Sequence, residues 1–255
     1  DTKRGIKCEI PFGIEMENVM KVGIMQPYFL PYIGYWQLMN AVDRYVIYDD
    51  VNFIKGGWIH RNRILLGGEA KYINVPMLGA SSFKKINEIM VHHEIALENK
   101  NLRMLENAYG KAPYFQEIFP ILERIIRNPE ESLALYLADS IREIHDYLEM
   151  KSELVLSSDL KKDCSKRGQE KVLEICKLLQ ADTYYNAIGG QALYSFSDFK
   201  ENGITLKFLK TGEIKYQQFG DKFVPGLSIV DVLMFNSKEE VRKQLQNYTL
   251  VQEEE

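Results

Sequence analysis

The sequence predicts an α/β protein with a mostly parallel sheet, and three observations carry this. The apolar run KVGIMQ, a loop, a helical stretch from Ile33 and the strand-like Tyr45–Tyr48 follow one another within about thirty residues. That is the size of a βαβ unit, whose crossover connection makes its two strands parallel. Strand and helix patterns alternate again between Leu154 and Leu209. Finally, 255 residues with 45% hydrophobic content, including 15 Tyr and 12 Phe, are enough to bury a sizeable core and too apolar for a disordered chain.

Lys21–Gln26 is short, apolar and followed by Pro27, as a buried strand ending in a loop would be. Ile33, Trp36, Leu38, Met39 and Val42 recur near helical spacing, and Tyr45–Tyr48 closes at Asp49 and Asp50. Residues 55–68 mix glycines with Lys55, Arg61 and Arg63 and read as a loop, whereas Tyr72–Pro76 resembles a strand. Residues 97–149 are rich in helix formers with 3.6-type apolar recurrence, punctuated by Pro113, Pro120 and Pro129, and read as a helical insertion or subdomain. A strand at 154–156, a helix at 167–180, a strand at 183–186, a helix at 195–201 and a strand at 204–209 follow. The apolar segment 227–235 leads into a helix at 237–246. Residues 20–251 thus form one α/β domain, with 1–19 a leader outside it and 252–255 an acidic tail.

Lys and Arg number 32 against 36 Asp and Glu, a net charge of −4, which disfavours a general nucleic-acid binder. Cys8, Cys164 and Cys176 show no metal-ligand spacing and fit a reducing cytosol, with Cys176 a small core residue. No apolar run reaches the ~20 residues that span a bilayer, and residues 1–19 lack a signal-peptide centre. A cytoplasmic protein is expected, with a homo-oligomer left open.

An α/β sheet places its ligand at the carboxyl ends of its strands. Here those ends are the loops 26–32 and 49–63 and the segment 186–191. The first directs backbone N–H groups toward an anion; Gln26, Tyr28 and Tyr32 belong to it, and Gly34 and Tyr35 to the helix start that follows, residues 26–35 being taken as one segment of the site. In the second, Asp50 is the favoured carboxylate, as a base or as a holder of Mg²⁺ against a phosphate. Arg61 and Arg63, two apart on an extended segment, suit a diphosphate or a carboxylate, with Asn52, Lys55 and a stacking Trp58 nearby. The alternative is an acid-capped strand end followed by a solvated basic loop. His60 reads as structural, and His92–Glu94 as a surface strand end. In the third, Gly189 and Gly190 admit close approach of a ligand while Asn186 and Gln191 can bond sugar hydroxyls or a base edge; a plain tight turn is the competing reading. Ser228 is a helix cap preceding Asp231. No hydrolase, dinucleotide or P-loop motif is present.

The run Phe29–Tyr35 resembles the strand-loop-helix signature of nucleotidylyltransferases, with Tyr32 and Tyr35 where that family has its two histidines. A phenol donates one hydrogen bond but brings no positive charge. The resemblance implies a nucleotidylyltransferase-like (Rossmann-like) opening and a catalytic role for Tyr32 beside Asp50. Four ordered blocks, IMQPYFLPYIGYWQ (24–37), YDDVNFIKGGWIHRNRI (48–64), YYNAIGGQALY (184–194) and VPGLSIVDVLMFN (224–236), resemble the WbqC-like family of bacterial surface-polysaccharide (O-antigen) biosynthesis. That resemblance implies a cytosolic enzyme acting on an activated sugar or attaching a small acyl or aminoacyl group, and the function expected is a transferase whose substrate is a nucleotide, a nucleotide sugar or a sugar. A non-catalytic binding protein and a nucleotidyl-transfer or adenylate-forming ligase are the alternatives.

Overall fold

The computed structural model describes residues 19–253. The expected leader, apart from Val19, lies outside the described residues, as do Cys8 and the last two residues of the acidic tail. The chain opens with β1 (Lys21–Met25), α1 (Ile33–Asn40) and β2 (Arg44–Ile47), the βαβ unit read from the sequence. It then leaves the sheet for the antiparallel hairpin β3 (Arg61–Leu66) and β4 (Glu69–Asn74), the short pair β5 (Met77–Leu78) and β6 (Met90–Val91), and helices α2 (Ile95–Tyr109), α3 (Phe115–Ile126) and α4 (Leu133–Tyr147). It returns at β7 (Glu153–Leu156), continues through α5 (Gly168–Leu178), β8 (Thr183–Ala187), α6 (Phe196–Glu201) and β9 (Thr205–Thr211), and ends with α7 (Ile229–Phe235), α8 (Lys238–Gln244) and β10 (Tyr248–Val251).

Six strands form one sheet in the order β10-β9-β8-β1-β2-β7. All its pairings are parallel except that of β10 with β9. Alternation along the strands divides the core into two layers, because successive side chains point to opposite faces of a sheet. Val22, Ile24, Val46, Tyr184 and Phe208 pack with α5 and α6 on one face. Tyr45, Ile47, Tyr185 and Leu209 pack on the other, with α1, α7 and the helices of the insertion. Cys176 is in the first core, where burial pushes its thiol pKa up to about 12.

Three local readings are corrected. Residues 61–66, expected in a loop, are β3: the glycines at 56–57 and 67–68 bound a hairpin strand whose Asn62, Ile64 and Leu65 turn into the core. Pro120, expected at a boundary, lies inside α3. The buried stripe of Ile118, Ile121, Leu122 and Ile125 outweighs the one backbone bond that proline removes. The helix expected to reach residue 246 stops at Gln244, and β10 adds an antiparallel edge to an otherwise parallel sheet. Among the described residues no helix is long and apolar enough to cross a membrane.

Candidate functional site

From β1 the chain winds to β2 and β7 on one side and from β8 to β9 on the other, so the connections pass over opposite faces and part between β1 and β8. A doubly wound sheet opens a crevice at such a switch point, at the carboxyl ends of its strands. A cavity of about 580 Å³ lies there. Gln26 and Tyr28 line it from the end of β1, and Tyr48, Val51 and Ile54 from the end of β2. Gly168 and Val172 face it from α5, and Asn186, Gly189 and Gly190 from the end of β8, with Leu193 and Tyr194 beyond. A larger groove of about 870 Å³ runs between α3 and α4, but its walls hold mutually satisfied ion pairs, Arg124–Glu143 and Arg142–Asp139, which leave little polar capacity for a ligand.

The loop after β1 is fixed at four of its carbonyls. The Tyr35 hydroxyl donates to the Gln26 carbonyl (3.0 Å), Asn62 Nδ2 to Phe29 (3.2 Å), and Ser228 Oγ to Leu30 (2.7 Å). Pro31 accepts from Trp36 Nε1 (3.1 Å) and from the Ile229 N–H (2.9 Å). Leu30 is held at φ +44°, a left-handed conformation costing a non-glycine residue about 1–3 kcal/mol that persists only where the surroundings over-determine it. Ser228, expected as a cap, does cap α7 through Val230 N–H, and so ties that helix to the loop. A rigid rim for the cavity results.

The polar side chains on the cavity wall are amides and phenols. Asn186 Nδ2 donates to the Tyr184 hydroxyl (2.5 Å), which orients the side chain. A Cβ on residue 190 would come within 2.7 Å of Asn186 Oδ1, so only glycine leaves that oxygen in place. Burial raises the phenol pKa values of Tyr28, Tyr48 and Tyr194, so these rings present protonated, donating hydroxyls at neutral pH.

Asp50 has a setting that its sequence neighbours do not announce. Its Oδ1 accepts from Ser157 Oγ (2.7 Å), and Lys162 Nζ and Lys171 Nζ each lie 3.0 Å from Oδ2. Lys171 also donates to the Asp50 carbonyl (3.0 Å), and Lys162 to that of Ser157. Burial works to raise the Asp50 carboxyl, but Ser157, Lys171 and Lys162 outweigh it and hold the pKa below the ordinary carboxylate value. Asp49, 1% exposed, accepts the Ser158 N–H (2.9 Å). Neither aspartate lines the cavity. A carboxylate clasped by two ammonium groups does not fit Mg²⁺, which takes an oxygen shell and is repelled by such neighbours, and among the described residues no three His, Cys, Asp or Glu side chains gather into a metal site.

The remaining candidates are dispersed. Tyr35 is buried, with its ring against Tyr28, Trp36 and Tyr45. Tyr32 is 42% exposed and its hydroxyl crosses Gly34, where a Cβ would meet it at 2.2 Å. Asn52 Nδ2 donates to Ser82 (3.2 Å), while Lys55 and Gln191 are exposed. Arg61 lies over Tyr72 (4.5 Å to the ring centre) and Arg63 over Trp58 (5.5 Å), with their guanidinium groups bonded to the carbonyls of Gly57 and Gly226. This cation and aromatic ladder belongs to the hairpin and does not line the cavity. His60 packs against Phe53 (5.5 Å between ring centres), as a structural histidine would. The residues missed in the sequence are Lys162, Lys171 and Ser157, and those bracing the first loop, Trp36, Asn62 and Ser228.

A family model described as "WbqC-like protein family" matches residues 26–243. The Mycobacterium tuberculosis protein named "Uncharacterized protein Rv1507c" is 29% identical over 219 residues, covering 85% of this chain and 93% of its own. No solved structure matches.

Proposed function

Since the chain belongs to the WbqC-like family, we propose that it is a transferase acting on a nucleotide-activated or sugar substrate in bacterial surface-polysaccharide biosynthesis, with the cavity between β1 and β8 as its substrate site. The observation that carries this reading is the cavity itself: about 580 Å³, at the switch point, with apolar and aromatic walls, the amide of Gln26 and the oriented amide of Asn186. Amides with phenol donors suit the hydroxyls of a sugar or the edge of a base, and Tyr28 and Tyr194 offer flat faces. The rigid loop would hold such a ligand in one orientation, which is how positioning lowers a barrier. One observation favours a second reading, a binding protein without catalysis. The carboxylate expected as the base, Asp50, has both oxygens engaged.

A thermal-shift panel of nucleotides, nucleotide sugars and sugars tests the site. A cognate ligand at one hundred times its dissociation constant should add about 2.7 kcal/mol, or roughly 5–10 °C in melting temperature. No response to any member would refute the reading. Gly190→Ala, which forces Asn186 Oδ1 aside, should weaken the responding ligand about tenfold with little loss of stability, because the collision is with a side-chain amide at the cavity wall. Titration calorimetry on both proteins checks this. Incubating the responding ligand with the protein and analysing products by mass spectrometry separates transferase from binder.

A further inference from the structure

Two lysines share one carboxylate beside this cavity. The side chains of Lys162 and Lys171 are 2% and 6% exposed, and both ammonium groups reach the same oxygen of Asp50. The other Asp50 oxygen is taken by a neutral hydroxyl, and the carboxylate next in sequence, Asp49, is spent on a backbone N–H. Of these carboxylates only Asp50 touches the two ammonium groups, so the groups in direct contact carry one positive charge in excess, and a poorly compensated charge out of water is costly. Burial pulls the Lys171 ammonium below the ordinary lysine range; Asp50 opposes this, and the charges of Lys162 and Lys85 add to it. Neither lysine lines the cavity itself, but the cluster backs onto one of its walls. Lys171 Nζ lies 4.9 Å from the ring centre of Tyr48, which lines the cavity. Gly168, which neighbours Lys171 at i, i+3 on α5, lines it too.

We propose that Lys162 and Lys171 are the phosphoryl-binding end of this cavity, so that the ligand is a phosphorylated compound, a nucleoside diphosphate or its sugar ester, whose phosphate supplies the missing negative charge while its rings occupy the walls. Asp50 is then a positioning residue that holds both ammonium groups. The proposal rests on the reading of the cavity as the ligand site and adds the chemistry of one end.

Inorganic pyrophosphate, ADP and UDP, with adenosine and uridine as their phosphate-free counterparts, are titrated into the wild-type protein and Lys162→Met. In the wild type, pyrophosphate should raise the melting temperature, and at least one diphosphate should bind tenfold or more tighter than its nucleoside. Lys162→Met leaves Asp50 paired with Lys171 and Ser157, so it should melt at or above the wild type yet lose the pyrophosphate response. Lys171→Met reads the same way should the first variant fail to fold. A wild type indifferent to pyrophosphate, with equal affinity for diphosphate and nucleoside, overturns the subsite while leaving the cavity reading intact. So does a variant that melts well below the wild type and still responds to pyrophosphate, because the lysine would then be structural. If pyrophosphate binds and the variant loses it, but no nucleotide or nucleotide sugar binds more tightly than pyrophosphate, the subsite stands and the proposed substrate class falls.

Discussion

Asp231→Asn is expected to cost about 3 kcal/mol or more of folding stability, roughly 6–12 °C in melting temperature. Asp231 is 0% exposed and accepts from three donors: the hydroxyls of Tyr109 (2.9 Å) and Tyr216 (2.6 Å), and Gln218 Nε2 (2.6 Å). Burial pushes its carboxyl up, and Tyr216, Gln218 and Tyr109 pull it back by donating to it. An amide in its place turns one accepting oxygen into a donor facing donors, out of reach of water. The Tyr109 hydroxyl already accepts the Leu65 N–H, which limits its freedom to reorient. The effect is large because one side chain ties α7 to α2, to the hairpin through Tyr109, and to the 216–218 segment. Tyr216→Phe, which deletes one of three donors, should cost only about 1 kcal/mol. Urea denaturation of the three proteins decides the matter, and an Asn variant as stable as the wild type would show that the carboxylate is not the anchor.

Trp36→Ala should cost about 3–5 kcal/mol, the range for truncating a large aromatic in a packed core. Trp36 is fully buried between the sheet and the loop, and its Nε1 is one of two donors to Pro31. Trp36→Phe keeps most of the packing and loses that donor. It should cost less in stability than Trp36→Ala and still weaken whichever ligand stabilises the wild type, because the loop bearing Gln26 and Tyr28 gains freedom. Asp231→Asn, at temperatures where it is folded, should bind that ligand normally. Calorimetric affinities of Trp36→Phe and Asp231→Asn separate the two roles, and equal affinities would remove the loop from the binding argument.

Much of the fold was legible because the elements that build the sheet are locally unambiguous. Val22, Ile24, Tyr45 and Ile47 lie in short apolar runs cut off by proline or aspartate, and the helices of the insertion carry strong stripes. What was not legible depends on partners far away in the chain. β3 mixes arginines with apolar residues between glycines, and only its pairing with β4 makes it a strand. β10 is a short edge with two exposed residues, which leaves little periodic signal. In the site, Gln26, Asn186 and Gly190 were readable as strand-end residues and the structure brings them to one cavity. Lys162 and Lys171 were not, because they stand in a lysine-rich stretch that resembles solvated surface, and only the pairing of β2 with β7 brings them to Asp50. Arg61 and Arg63 share a surface, as their spacing suggested, but it is the aromatic flank of the hairpin.

The chain leaves the sheet at Ile47 and returns at Glu153 to lay β7 directly against β2. Closing a flexible loop of about one hundred residues costs roughly 4 kcal/mol of chain entropy before the pairing repays any of it. The hairpin and the helices of the insertion, built from contacts nearer in sequence, shorten that search once they have formed. The β7 edge of the sheet is therefore among the last parts to be completed, and so is the charged cluster that joins Asp50 to residues beyond β7. During synthesis the first βαβ unit emerges long before its neighbours on either side exist. Until then β2 and β1 present bare parallel edges, so the period in which this protein is open to wrong partners is set by the time needed to make and fold the insertion.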